Sequence, residues 1–399
     1  MSILDKKSSL QERKLSVFIY LIWGIPLFCT IFRGIAKVGE VDDFINPFII
    51  ITCLLASIRQ ITSQLLVRDY VVYVIGVLLY FLTYWIFPQN EFYLNRYAFS
   101  FLLMCLPYLF YGKLISIEKY VDDFYKISVC VIVFFLWYLF RYIQRKSGSM
   151  EEQGIQEYMY FSYQALPHVL FVIWRFLSKP NVGRGLISCM GIFLLSSLGT
   201  RGALVCVLFF VLFYLLIGKK YSTARAKYST WLVASISVFA ISSFLNELLL
   251  TLQLLLGDLG MSTRIFDMLL DSDFLGGDSV DERDDLINMA KATLKDNPIL
   301  GVGIAGSFVW IKSYPHNILY DCWLTFGYVA GSMLFLYMVY LVISAYKAVR
   351  TSDEKGFLLV LVSCGFVSYF LSRTYLAAPD IFMLLGYCVY LKRKNLKNG

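Results

Sequence analysis

Long apolar segments alternate with short polar ones along almost the whole chain. A segment of about 20 apolar residues can cross a bilayer as an α-helix, and somewhat shorter ones can do so inside a bundle. The pattern therefore predicts an all-α integral membrane protein with about twelve transmembrane helices in one polytopic domain, residues 1–399. The predicted spans are 15–33, 44–59, 70–87, 97–112, 126–141, 161–178, 184–199, 202–218, 229–250, 317–346, 357–373 and 378–391.

One polar stretch, residues 251–316, is much longer than the other gaps and lies between the ninth and tenth predicted spans. Lysine and arginine are more frequent in the segments on the N-terminal side of the membrane, which marks that side as cytoplasmic. We therefore predict that both termini are cytoplasmic and that 251–316 is a large periplasmic loop with short helices. Basic residues precede the first apolar run, but no small-residue cleavage site follows it, so we predict an uncleaved first helix.

The composition agrees with a membrane protein and excludes several other classes. Hydrophobic residues make up 58% and charged residues 16% of the chain, whereas a soluble domain averages about 25% charged residues. Nine cysteines are dispersed without a C-x-x-C pair, so neither a disulfide framework nor a zinc site is predicted. The net charge of +8 comes largely from inner loops and the Lys392–Arg393–Lys394 tail. It is a topology signal, and no nucleic-acid partner is predicted.

Titratable residues are concentrated at the predicted outer ends of helices and in the outer loop, while the deep interiors of the spans carry few charges. These residues are Arg201, Arg264, Arg283, His316, Asp321, Arg373 and Asp380. The arrangement suits a substrate with a lipid tail and a polar head. Arg201, in the very short turn between the seventh and eighth spans, is interpreted as an anion contact. The alternative is an arginine whose side chain extends to lipid phosphates.

Arg283 follows a Ser-x-x-Glu pattern at 279–282, which is typical of a helix N-terminus. Apolar residues at helical spacing then predict an amphipathic helix that ends before Pro298. Arg283 is thereby predicted in the first turn, beside free backbone N–H groups, where it could help to bind a diphosphate. Four neighbouring acids favour the alternative of a solvated surface segment. Arg264, in the sequence MSTRIFDM, is a weaker candidate for the same kind of contact.

His316 is predicted in the first turn of the tenth span, where a helix N-terminus disfavours the imidazolium. Such a histidine would stay neutral and could accept a proton. A continuous helix would place Tyr320, Gly327 and Gly331 on its face, and the two glycines would let a neighbouring helix approach closely. The alternative is a packed polar residue at the membrane interface. The other histidine, His168, lies inside the sixth span and is predicted to be a core residue.

Three short motifs together carry a resemblance to a known family. They are T-R-G-A-L at 200–204, an arginine-led helix running into N-P-I-L-G-V-G at 297–303, and His316-Asn317 followed after nine residues by Gly327. In this order, and over roughly residues 185–345, the chain resembles the bacterial O-antigen ligase/polymerase superfamily, most closely an O-antigen polymerase. The next glycine, Gly331, follows at four residues, where the ligase pattern has three, so a dedicated ligase is less expected.

The resemblance implies a metal-independent glycosyltransferase of the bacterial inner membrane, with a periplasmic active site and no cofactor. It would transfer an undecaprenyl-diphosphate-linked glycan onto a sugar hydroxyl of a second lipid-linked repeat unit. His316 would act as general base, and Arg201 and Arg283 would bind the diphosphate. Membrane lipid and a chain-length regulator protein are the other implied partners. Further substrate contacts are expected at Arg264, Asn317, Tyr320 and Arg373.

Three alternatives stay open at this stage. A ligase would use the same chemistry and transfer the glycan to lipid A–core. A transporter or flippase would be expected to carry polar residues deep within its spans and pseudo-symmetric halves, and the sequence shows neither. A structural or chain-length-regulating protein would not depend on Arg201, Arg283 or His316. The acidic run at 278–285 matches no EF-hand loop, and no metal is predicted.

Overall fold

The computed structural model describes residues 12–21, 23, 65–145, 153–198, 200–218, 245–258 and 278–398. Every regular element in these ranges is helical, without a strand, which confirms the all-α class for this part of the chain. Residues 12–21 are helical. The α-helices that follow are Val67–Ile86, Glu91–Phe99, Tyr108–Leu114, Ile117–Arg145, Gln153–Ser178, Val182–Ser197, Arg201–Phe213, Leu245–Asp258, Asp278–Asp296, Gly306–Trp310, Ile318–Ala348, Ser352–Gly365 and Asp380–Asn398.

Four helical stretches among the described residues are long and apolar enough to cross a membrane. They are Val67–Ile86, Pro88–Leu114, Arg201–Gly218 and Ile318–Ala348, and they coincide with predicted spans three, four, eight and ten. Val182–Ser197 is also apolar but shorter. The second predicted span, 44–59, and most of the ninth, 229–250, lie outside the described residues. The count of twelve spans and the periplasmic side of the 251–316 loop remain predictions.

The described residues divide into two compact units. The first unit holds residues 12–21, 23, 65–120 and 278–398. It includes Arg283 and His316. The second holds 121–145, 153–198, 200–218 and 245–258, and includes Arg201. The boundary falls at Tyr120, where the helix Ile117–Arg145 is interrupted by a non-helical residue (φ −127°, ψ 20°).

The C-terminal helix Asp380–Asn398 is held in the first unit by direct backbone contact and by buried charge. A Cβ on Gly112 or on Gly386 would overlap the main chain of the facing helix, so glycine permits this approach. At the end of the helix, Asp69 accepts hydrogen bonds from Lys113 (3.0 Å) and from Arg393 Nη1 (2.8 Å). Lys394 pairs with Glu118 (2.5 Å) and Glu354 (2.7 Å). Two residues of the basic tail are therefore also structural.

In the second unit, helix Gln153–Ser178 packs against Val182–Ser197 and Arg201–Phe213. His168 is fully buried there and its Nδ1 lies 3.3 Å from Ser128 Oγ, which confirms the prediction of a core histidine. The helix Val182–Ser197 is followed almost at once by the helix that begins at Arg201. This confirms the very short turn predicted between the seventh and eighth spans.

Candidate functional site

The helix Asp278–Asp296 carries Arg283 and is anchored by one apolar face. Ala290 and Leu294 are fully buried in a cluster with Val302, Ile311 and Leu324. The predicted amphipathic helix therefore buries an apolar face, and Met289 is 42% exposed. The helix ends at Asp296, before Pro298 as predicted, and leads directly into the segment 297–303. We call this segment the glycine turn.

The glycine turn docks into a break in the helix Ile318–Ala348. Gly327 has left-handed backbone geometry (φ 77°, ψ 174°) and divides this helix into a short half, 318–326, and a long half, 328–348. The N–H of Val302 donates to the carbonyl of Leu324 (2.6 Å), and the N–H of Tyr328 donates to the carbonyl of Pro298 (2.9 Å). These two bonds satisfy backbone groups that the break would otherwise leave unpaired.

This break corrects the prediction of one continuous helical face with a paired-glycine contact to a neighbouring helix. Gly327 is not helical, and a Cβ there would overlap the carbonyl of Ile299 in the glycine turn. A Cβ on Gly331 would lie 2.5 Å from the carbonyl oxygen of Cys322, so the two halves of the same helix pack against each other. Trp323 Nε1 in the short half also donates to Ser332 Oγ in the long half (2.8 Å). Gly327 thus permits the contact with the glycine turn, and Gly331 permits the contact between the two halves of the helix.

Asn90 fixes the far side of the glycine turn. Its Nδ2 donates to the carbonyls of Val302 (2.8 Å) and Ile304 (3.1 Å), and the side chain is fully buried. A Cβ on Gly303 would lie 2.6 Å from the ring of Phe87, so this part of the turn packs closely on the end of helix Val67–Ile86. No local pattern indicates this role, because the contact joins residues more than two hundred positions apart.

All left-handed backbone conformations in the described part of the chain occur between residues 301 and 327. Three non-glycine residues adopt them: Ala305 (φ 60°), Lys312 (φ 60°) and His316 (φ 49°). Such conformations cost on the order of 1–3 kcal/mol each and persist where the surrounding structure enforces them. Strain of this kind is concentrated at functional sites, and here it includes the candidate base.

His316 lies two residues before the helix rather than in its first turn, which corrects the prediction. The helix begins at Ile318, and Asn317 is its N-cap, with the side chain accepting from the N–H of Leu319 (2.9 Å). Asn317 thus has a capping role, whereas we expected a substrate contact. The helix dipole is correspondingly not the main influence on the imidazole.

Burial is the main reason why His316 is neutral. It lowers the pKa of the imidazole to about 4, and the positive charge of Arg283 acts in the same direction. The carbonyl of Leu371 opposes both, because it favours a protonated ring. The Nδ1 atom is buried and has no hydrogen-bond partner among the described residues. The ring can therefore accept a proton at neutral pH, as predicted from the sequence but for a different physical reason.

Tyr314 supports the His316 ring. The two ring centroids are 4.2 Å apart with planes inclined by 40°. The hydroxyl of Tyr314 donates to the carbonyl of Ser372 (3.0 Å), which ties this ring to the segment that also presents the Leu371 carbonyl.

Arg283 is close enough to His316 for its charge to affect the imidazole. Its helix begins at Asp278, which places Ser279 inside the helix and Arg283 in the second turn. The predicted first-turn position, beside free N–H groups, is therefore wrong. The guanidinium is half-buried and makes no hydrogen bond or ion pair with other described residues. Its positive charge is available for an anion.

The other candidate residues are Arg201, Arg264, Arg373 and Tyr320. Arg201 is the first residue of helix Arg201–Phe213 in the second unit and is half-buried. Arg264 lies outside the described residues. Arg373 pairs with the buried Asp380, which also accepts from Trp23 Nε1 (2.8 Å). Tyr320 packs beside Trp323, with ring centroids 5.2 Å apart.

Within the described ranges, no three His, Cys, Asp or Glu side chains lie close enough together to hold a metal ion. We therefore assign no ligand for a metal there. Among the described residues, the arrangement offers a neutral base whose Nδ1 has no hydrogen-bond partner, close to the cationic side chain of Arg283.

The segment that contains these residues is similar to a known protein family. Residues 185–336 match the family described as O-antigen ligase. No curated protein and no solved structure matches the chain. The matched segment includes Arg201, Arg283, the glycine turn, His316 and the Gly327 break. Over residues 185–336, somewhat more than a third of its length, the chain is similar to this O-antigen ligase family.

Proposed function

We propose that this protein is a surface-polysaccharide polymerase of the O-antigen type. It transfers a glycan from undecaprenyl diphosphate to a sugar hydroxyl on a second lipid-linked repeat unit, at the periplasmic face of the inner membrane. The observation that carries the proposal is the proximity of a neutral, buried His316 to the positive charge of Arg283. The similarity of residues 185–336 to the O-antigen ligase family supports the reaction class.

In this reaction the acceptor hydroxyl gives its proton to His316 while its oxygen attacks the anomeric carbon of the donor. The bond between that carbon and the diphosphate oxygen breaks, and undecaprenyl diphosphate leaves as an anion. Arg283 stabilises the negative charge that develops on the leaving group. A cation that is already in place does this without a rearrangement of the site during the reaction. His316 then releases its proton to water. No nucleotide is required, because the diphosphate leaving group already activates the donor.

Binding of the donor should also change the pKa of His316. Arg283 lowers the pKa of His316 in the free protein, and a bound diphosphate would offset that charge. The pKa of His316 should therefore rise when the donor binds. A general base works best when its pKa lies close to the operating pH, so the substrate itself brings the imidazole towards the useful range.

The other predicted substrate contacts remain part of the proposal, and the structural support differs between them. Arg201 is proposed to bind the donor, supported by the T-R-G-A-L motif and by its place at the start of a helix. Arg264 is a further cationic candidate. Asn317, Tyr320 and Arg373 remain proposed substrate contacts, and each also contacts a residue of the protein itself. A chain-length regulator is proposed as a partner from the resemblance.

A ligase is the second candidate function, because the matching family model carries that description. The two activities share donor, base and cation and differ in the acceptor. In the ligase case the acceptor would be lipid A–core. The four-residue spacing from Gly327 to Gly331 favours the polymerase.

Transfer by purified protein tests both candidates. A synthetic polyprenyl-diphosphate repeat unit is supplied with EDTA and without nucleotide, and the products are separated as a ladder on a gel. We expect a ladder from the wild type and from His168→Asn, the matched variant at the other histidine, and none from His316→Ala. Size-exclusion chromatography verifies that each variant is folded. A ladder from His316→Ala would refute the base, and product formed only with lipid A–core would identify a ligase.

A further inference from the structure

The tip of the glycine turn exposes two large apolar side chains. Ile299 is 76% and Leu300 is 66% exposed, although both lie outside any helix. They extend from the same turn whose carbonyls and N–H groups fill the break at Gly327. A rigid turn that presents adjacent apolar residues outward usually marks an interaction surface.

The length of the long helical half indicates where this tip lies in the membrane. At about 1.5 Å per residue, residues 328–348 are about 31 Å long, which matches the roughly 30 Å hydrocarbon core of a bilayer. The long half can therefore cross the membrane without the short half. Gly327 then marks one boundary of the hydrocarbon, and the short half lies outside the span.

The exposed face of the long half supports this position. Exposed apolar residues recur at intervals of four and three and form one stripe: Val329 (70%), Met333 (68%), Leu336 (63%), Tyr340 (55%) and Ile343 (50%), with Tyr337 (55%) exposed beside it. A stripe of this length on a crossing helix faces lipid. The bond from Tyr328 N–H to the Pro298 carbonyl places the tip of the glycine turn at the end of this stripe.

We propose that Ile299 and Leu300 insert into the acyl chains of the leaflet next to the glycine turn. Lipid is favoured over a second copy of the chain, because two side chains cannot supply the roughly 800 Å² per partner of a stable protein interface. Insertion holds the glycine turn at the edge of the hydrocarbon. It thereby fixes the depth of the segment 304–316 and of His316 relative to the lipid phosphates. This inference does not depend on the identity of the acceptor or on catalysis.

Spin labels on the full-length protein in phosphatidylcholine/phosphatidylglycerol nanodiscs test the proposal. Ile299→Cys and Leu300→Cys are labelled in a background whose native cysteines are replaced. Collision rates are measured with oxygen, which is enriched in lipid, and with a water-soluble nickel chelate. Met333→Cys provides the lipid-facing control. Lys291→Cys, on the exposed side of helix Asp278–Asp296, provides the water-facing control.

We expect both tip labels to resemble Met333→Cys, with high oxygen and low nickel collision rates. Nickel rates like those of Lys291→Cys would place the tip in water and overturn the proposal. Low rates for both reagents would indicate a protein contact and would also overturn it. A lipid-like signal that appears only after polyprenyl diphosphate is added would assign the tip to the donor tail instead of the bilayer. Both substitutions are at exposed positions, and size-exclusion chromatography verifies that the cysteine-replaced background, which changes buried residues such as Cys322 and Cys388, is folded.

Discussion

His316 could be recognised from the sequence as a candidate base, but its surroundings could not. The histidine is one of only two in the chain and stands at the border of an apolar segment, which is a local signal. Its left-handed backbone, the Tyr314 ring and the Leu371 carbonyl depend on contacts across the fold. The predicted neutrality was right, yet burial rather than the helix terminus is the main cause. Local sequence shows charge and polarity but does not show burial.

At the residue scale, removing the Tyr314 hydroxyl should impair catalysis without unfolding the protein. Tyr314→Phe keeps the ring against His316 and loses the hydrogen bond to Ser372. A bond of this kind contributes about 0.5–1.5 kcal/mol, so we expect transfer to fall roughly three- to tenfold. The measurement is kcat/KM in the transfer assay.

Tyr97→Phe is the matched control for that variant. Tyr97 and Tyr314 both pack on Phe308, with ring centroids 5.0 Å and 6.1 Å away. Unlike Tyr314, Tyr97 does not contact the His316 ring. Its activity should equal that of the wild type. Equal losses in both variants would show a general packing effect and would argue against a positioning role for Tyr314.

At the element scale, the glycine turn and the helix break show what pattern analysis can and cannot find. The motif residues at 297–303 and Gly327 were visible as separate features. A single glycine inside a long apolar run is usually tolerated within a helix, so the sequence predicted a continuous helix. The break exists because backbone groups of the turn bond to Leu324 and Tyr328. That pairing is a tertiary contact, and no local pattern reports it.

Gly327→Ala should therefore damage the site severely. The new methyl group would overlap the Ile299 carbonyl, and alanine disfavours the φ of 77°. We expect destabilisation on the order of 1–3 kcal/mol or more and loss of transfer. Thermal unfolding in detergent and the transfer assay provide the two measurements.

Gly183→Ala is the control for this substitution. Its Cβ would be 3.6 Å from the nearest atom, an ordinary contact, within helix Val182–Ser197. Alanine is the better helix former, so stability should be unchanged or slightly higher. If Gly327→Ala were equally harmless, the docking of the turn into the break would be wrong.

At the scale of the whole molecule, hydropathy was enough to predict helical class and the four candidate spans. It could not predict how the C-terminal helix is fixed, because Asp69 and Arg393 are 324 positions apart. The positive tail was interpreted only as a topology signal. In the structure Arg393 and Lys394 also form ion pairs with buried acids, and the two roles are compatible.

Asp69→Asn tests that ionic cluster. Asp69 is 1% exposed, and its loss would leave Lys113 and Arg393 near each other without their shared anion. Breaking a buried pair in this way typically costs about 3–5 kcal/mol. We expect a clearly lower unfolding temperature, whereas Asp258→Asn, at an exposed position, should change it little. An unchanged unfolding temperature for Asp69→Asn would show that the cluster does not stabilise the fold.

The dependence of transfer on pH tests the pairing of His316 with Arg283 most directly. A general base must be neutral, and the pKa of His316 is lowered to about 4. In the wild type, kcat/KM should therefore rise with pH through about 4 and stay level towards neutrality. Arg283→Gln removes one of the two causes of the lowered pKa, so its acid limb should move to higher pH. Its maximal rate should also fall, because the leaving group loses a cation.

Activity is expressed per folded protein, because the same pKa shift affects stability. An unfolded histidine has a pKa of about 6.5, so the unfolded state binds more protons between that value and about 4. Stability is therefore lost as the pH falls through this window. An acid limb at higher pH in Arg283→Gln than in the wild type would support the account. Identical limbs in the two proteins would contradict it.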